Sequence, residues 1–130
     1  MEQVGAEVTD SIRSTISRRV VQLLKEFYGR GPVGARTYYH DDYVLVLLSG
    51  GFSKVEDTLL AAGKGEAVAE LREAFQATMR DRFVEAIEEI TGRSVVSFMS
   101  ATDQGADATA ELFLLRPVRE GVEETEQTSG

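Results

Sequence analysis

Tyr43-Val44-Leu45-Val46-Leu47-Leu48 is apolar at every position. A strand sends alternate side chains to opposite faces. Read as a strand, this segment therefore asks for cover on both sides. Leu112-Phe113-Leu114-Leu115 makes the same demand. A small antiparallel sheet ordinarily buries only one face. The surplus apolar face is expected to be a partner surface, most simply for a second copy of the same chain. That favours an interaction module over an enzyme.

Working outward from the apolar strand, Asp41-Asp42 fits a tight turn, because Asp tolerates left-handed backbone geometry. Residues 35–40 then form the other strand of a hairpin. Before it, Val8, Ile12, Ile16, Val20, Leu24 and Phe27 recur at helical spacing. They define a helix from about residue 8 or 10 to residue 28. Gly29 caps it, and Gly31-Pro32 stops it. After the apolar strand, Ser53 and Glu56 have capping-box spacing and open a short helix carrying Val55, Leu59 and Leu60. Gly63-Lys64-Gly65 ends it. Val68, Leu71, Phe75, Met79, Phe83, Ile87 and Ile90 then mark a second long helix over 66–91, capped by Gly92. Strands follow at 95–100 and 109–116, joined by a loop over 103–107. The order α-β-β-α-α-β-β predicts an α+β fold with a four-stranded antiparallel or mixed sheet, two long helices and one short helix.

Phe27-Tyr28-Gly29-Arg30 and Ile90-Thr91-Gly92-Arg93 share a pattern. Each closes a long helix and precedes a hairpin, so two helix-hairpin halves are able to build one sheet. Recurrent glycine caps account for the likeness equally well.

The 130 residues suit one compact domain, expected over 1–117. Glu120, Glu123, Glu124 and Glu126 crowd the stretch 118–130, which reads as an acidic disordered tail. The 22 acidic and 14 basic residues give a net charge of -8, which repels phosphate backbones and argues against nucleic-acid binding. No cysteine is present, so disulfides and thiolate metal sites are excluded. The first residues lack the basic and apolar regions of a signal peptide. No apolar run approaches the roughly 20 residues that span a bilayer. These features predict a soluble cytoplasmic protein without cofactor or metal.

Few residues offer chemistry. His40 is the only histidine and adjoins Asp41 and Asp42. An enzyme built on His40 and Asp42 is one alternative, although adjacent carboxylates at an exposed turn need no catalytic explanation. Arg30 and Arg93 each follow a capping glycine. If they converge they could hold a small anion or metabolite, which makes a sensor the other alternative. Otherwise each pairs with a helix end or a nearby acid. Gly63-Lys64-Gly65-Glu66 lacks the spacing and the following Ser or Thr of a phosphate-binding loop.

Taken together, Gly29-Arg30-Gly31-Pro32, Tyr38-Tyr39-His40-Asp41-Asp42, Thr58-Leu59-Leu60 and the run from Ile87 through Gly92-Arg93 to Met99-Ser100 form a pattern. Over roughly residues 8–115 it resembles the MpsC-like family, named for a sodium-translocating, membrane-potential-generating system. The resemblance implies a small non-enzymatic accessory or regulatory protein, with a membrane transport protein as partner. It supplies no catalytic residues. Arg30 and Arg93 match recurrent family positions and are the candidate contacts for a partner or an anion. A chain without a span cannot itself form a route through the bilayer.

Overall fold

The structure is a computed structural model describing residues 2–118, with side chains from residue 8 onward. The elements are α1 (Glu2–Tyr28), β1 (Gly34–His40), β2 (Tyr43–Ser49), α2 (Lys54–Ala61), α3 (Gly65–Thr91), β3 (Val95–Asp103) and β4 (Ala108–Leu115). The fold is α+β, and every strand pair is antiparallel. The sheet order is β1-β2-β4-β3. The expected tail falls almost wholly on residues 119–130, outside those described.

Each long helix leads into a hairpin, and the two hairpins join through β2 and β4 at the centre of the sheet. Because β2 and β4 run antiparallel, the two helix-hairpin halves are arranged about an approximate two-fold axis between them. Gly29 and Gly92 stand at matching helix ends with φ of 88° and 73°. A side chain there would meet its own carbonyl, so glycine terminates both helices. Asp41, at φ 44°, supplies the left-handed residue of the β1–β2 turn.

Both long helices lie on one side of the sheet. Ile16, Val20 and Leu24 of α1 and Met79, Phe83 and Ile87 of α3 meet Val44, Val46, Leu48, Phe98, Phe113 and Leu115 in one core. The Ser17 and Thr37 hydroxyls join α1 to β1 across 2.7 Å. Phe98 stacks on Phe113 with ring centroids 4.9 Å apart.

The apolar stripes are buried at their centres but not throughout. Val8, Phe27 and Leu71 are exposed. Phe27 lies instead beneath the Arg82 guanidinium, 4.3 Å from its ring centre. Arg82 belongs to α3, so the last apolar residue of the α1 stripe meets the neighbouring helix rather than the core. Ser53 caps α2 with the expected reciprocal bonds to Glu56. β3 continues to Asp103, three residues beyond its expected end, because Ala101, Thr102 and Asp103 still pair with β4.

Candidate functional site

With all helices on one side, strand alternation leaves a bare sheet face. The register arranges its side chains in rows. One row runs Tyr38, Leu45, Leu112, Met99 across the four strands. The rows on either side are His40, Tyr43, Leu114, Ser97 and Arg36, Leu47, Ala110, Ala101. Leu47 is 40% exposed and Met99 47%. No acid stands in these three rows, and the only basic groups, Arg36 and His40, lie on the β1 edge. The surplus expected from the apolar strands is therefore present as a contiguous surface. Single exposed apolar residues are ordinary, but a patch of this extent on a chain of net charge -8 is not.

The covered face holds a second feature that the sequence reading missed, a seam of buried polar groups beneath α3. Glu56 is fully buried. Arg72 reaches it with Nε at 2.9 Å and Nη2 at 3.2 Å, and Nη2 also donates to the Gly51 carbonyl at 3.2 Å. The Ser53 backbone N–H donates to Glu56 at 2.8 Å. The Arg72 guanidinium lies 4.3 Å from the Phe52 ring centre and 5.2 Å from that of Tyr28. Burial works to raise the Glu56 carboxyl, but the Arg72 and Ser53 bonds outweigh it and hold the group below the usual carboxylate range. Burial and the Glu56 charge push the Tyr28 phenol up to about 12.

One turn along α3, the Gln76 amide donates to Glu111 across 2.9 Å. Glu111 is 1% exposed and points inward from the central strand β4. Burial pushes its carboxyl up to about 7, against the smaller opposing pull of Ser100, Gln76 and Arg72. Its second oxygen, Oε1, has no hydrogen-bond partner, and neither has the Gln76 Oε1. A cavity of about 240 Å³ opens beside this pair, between the first half of α3 and β3. The signal for Glu111 was legible as parity: Thr109, Glu111, Phe113 and Leu115 share the inward face of one strand.

The structure does not bring Arg30 and Arg93 together. Arg30 is exposed beside Pro32, Gly50 and Gly51, at the end of the sheet where β1 begins. Arg93 reaches the turn where β1 ends, with Nη1 donating to the Asp41 carbonyl and Nη2 to Asp42 and to the Arg116 carbonyl, both at 3.0 Å. A seven-residue strand, about 23 Å long, separates the two ends. The approximate two-fold axis explains this, since it carries matching positions to opposite ends. No single anion bridges the pair, so the convergence on which a sensor rested is absent. Arg93 instead ties the hairpin turn to the chain after β4. Arg93→Ala is expected to cost about 2 kcal/mol, read by chemical denaturation, and Arg93→Lys to restore only part because a single ammonium cannot span the fork's acceptors.

His40 and Asp42 do not meet either. His40 is exposed and lies edge-on to Tyr43, with ring centroids 6.0 Å apart. Asp42 is engaged by Arg93. Among the described residues, no three His, Cys, Asp or Glu side chains group as a metal site. No described helix is long and apolar enough to cross a membrane.

The model of one protein family matches residues 9–116, and its description is "Na+-translocating membrane potential-generating system (MpsC)". No curated protein and no solved structure matches the chain.

Proposed function

The chain belongs to the MpsC family, and from that premise we propose that it is a cytoplasmic, non-catalytic accessory component of a sodium-translocating, membrane-potential-generating system, acting by docking rather than by carrying ions. The bare sheet face is the observation that carries this reading. We assign it to a second copy of the chain.

Charge supports that choice. Two copies of net charge -8 repel one another over most of their surfaces, and this nearly uncharged face is where they can meet. Shape supports it too. Four strands of this length cover roughly 450 Å² in projection. Side-chain relief raises the accessible area towards the roughly 800 Å² per partner of an ordinary stable interface. Two such faces pack about 10 Å apart with their strands nearly aligned. A face covered in this way leaves the helical side and both hairpin ends, including the exposed Arg30, open to a membrane partner.

Analytical ultracentrifugation and light scattering across the micromolar range are expected to report a dimer. Leu47→Asp places a charge at the centre of the face and is expected to weaken association about 100-fold or more while leaving the monomer folded. A wild-type chain that stays monomeric overturns the self-association. Co-purification with the subunits of a sodium-translocating membrane assembly tests the accessory role separately. Its failure would remove that role and leave the dimer standing.

A further inference from the structure

We propose that the two-fold axis of the sheet-face dimer runs across the strands, so that each strand of one copy lies reversed over the same strand of its partner. This arrangement rests on the dimer proposed above and fixes how its two halves sit.

Two sheets stacked with nearly aligned strands admit two directions for the axis. An axis along the strands sets β1 over the partner's β3 and β2 over the partner's β4, and each row of side chains faces the same row. An axis across the strands sets every strand over itself. With full overlap, the row of Leu47 then faces the row of Leu45, and the row of Gly34 faces the row of His40.

Side-chain size chooses between them. The outward residues of β4 are Ala108, Ala110, Leu112 and Leu114, two small and then two large. Beside them on β3, Ala101 neighbours Ala110 and Met99 neighbours Leu112. The alanines leave a shallow depression on the bare face, lined by Ala101, Asp103, Ala108 and Ala110 together with Leu47. Reversal of β4 over itself brings Leu112 onto the partner's Ala110 and Leu114 onto the partner's Ala108. On β3 it brings Met99 onto the partner's Ala101. Each copy's depression receives the other's large side chains, and the relation is reciprocal, as a two-fold contact requires.

The axis along the strands packs less well. There Ala108 faces the partner's Ser49 and Gly34 faces the partner's Asp103, while Tyr43 faces the partner's Leu114 and Leu45 the partner's Leu112. The sheets would touch at one end and gape at the other, whereas stable interfaces pack as densely as interiors. That axis does bring Arg36 within one row of the partner's Asp103. Both residues are exposed, and an exposed ion pair contributes little, so packing outweighs charge.

The axis across the strands also gathers both β1 edges, with the α1 flanks beside them, on one side of the dimer. Residues 8–40 hold six basic and two acidic side chains in a chain of net charge -8. The dimer therefore has a basic side, built equally from both copies, where the axis emerges.

The chain has no cysteine, so single-cysteine variants on the two edge strands report the arrangement. With the axis across the strands, Tyr38→Cys and Met99→Cys each lie about 10 Å from the same position in the partner, within reach of a short bismaleimide. With the axis along the strands, equivalent positions are at least about 14 Å apart across the sheet, and the linkable pair is position 38 with position 99. Each variant is expected to cross-link to itself, and an equimolar mixture to give no mixed product. Ala110→Leu should weaken association about tenfold, and adding Leu112→Ala should restore most of the loss, because the two positions face each other between copies. Wild-type chains that stay monomeric in ultracentrifugation overturn the dimer and this arrangement with it. A dimer whose cross-links join only position 38 to position 99 overturns the arrangement alone. So does a dimer that Ala110→Leu and Leu112→Ala weaken additively.

Discussion

Arg72→Ala is expected to lower the free energy of unfolding by about 3–5 kcal/mol, the range for removing one partner of a buried ion pair. Glu56 is fully buried, and beside the Ser53 hydroxyl it is Arg72, on another helix, that donates to both oxygens of its carboxylate. Without the guanidinium, Glu56 stays in place because the short α2 helix and its Ser53 cap hold it there. It then faces the protein interior as an uncompensated charge, or takes up a proton. Phe52 and Tyr28 lose the cation between them, and the Gly51 carbonyl loses a donor. Typical domains unfold at about 5–15 kcal/mol, so the loss is a large share of the total.

Two further measurements separate the ion pair from simple packing. Arg72→Met together with Glu56→Gln should recover much of the loss, since no charge is then left unpaired. Arg72→Lys should recover little, because a point charge neither forks onto two carboxylate oxygens nor stacks flat on rings. The pH dependence has a defined sign. Glu56 is depressed in the folded chain, so its contribution is present above the ordinary carboxylate pKa and is lost as pH falls through the folded value. Arg72→Ala should therefore lose less stability than wild type on acidification. Denaturation midpoints for Arg72→Ala within about 1 kcal/mol of wild type would contradict the account.

The buried ion pair shows where the sequence stopped being informative. The Ser53–Glu56 spacing announced the helix start correctly, and α2 begins where it should. Nothing in that spacing said that Glu56 would lie inside, since a capping glutamate is usually solvated. Its partner lies sixteen positions away on α3, outside the apolar series that marked that helix. Periodicity tells which face of an element is apolar, but it does not tell which polar residue at the margin another element will cover. The bare sheet face was legible for the opposite reason. Alternation within one strand assigns each side chain to a face regardless of what the rest of the chain does, so Leu45 and Leu47 had to oppose Val44 and Val46. Arg30 and Arg93 mark an intermediate case. Their matching positions in two halves were visible, but their separation follows from the antiparallel pairing of β2 with β4, a long-range choice that neither motif encodes.

Glu111→Gln is expected to stabilise the protein above about pH 7 by on the order of 3 kcal/mol, and to leave its stability nearly unchanged at about pH 4.5 and below. The folded carboxyl is raised to about 7 from an ordinary value of about 4.5. Between those values the unfolded chain has released the proton and the folded chain still holds it. Stability is therefore undiminished by this group below about pH 4.5, falls as pH rises towards 7, and is level above that. Glutamine matches the neutral acid in shape and cannot ionise, so the falling limb should vanish from the difference between variant and wild type, in which all other titrations cancel. Glu111→Leu should do worse than glutamine at every pH, because the Gln76 N–H then loses its acceptor. Chemical denaturation of the three chains across this range measures the effect. A difference between Glu111→Gln and wild type that does not grow with pH would mean that Glu111 ionises at its ordinary value, with water reaching its free oxygen.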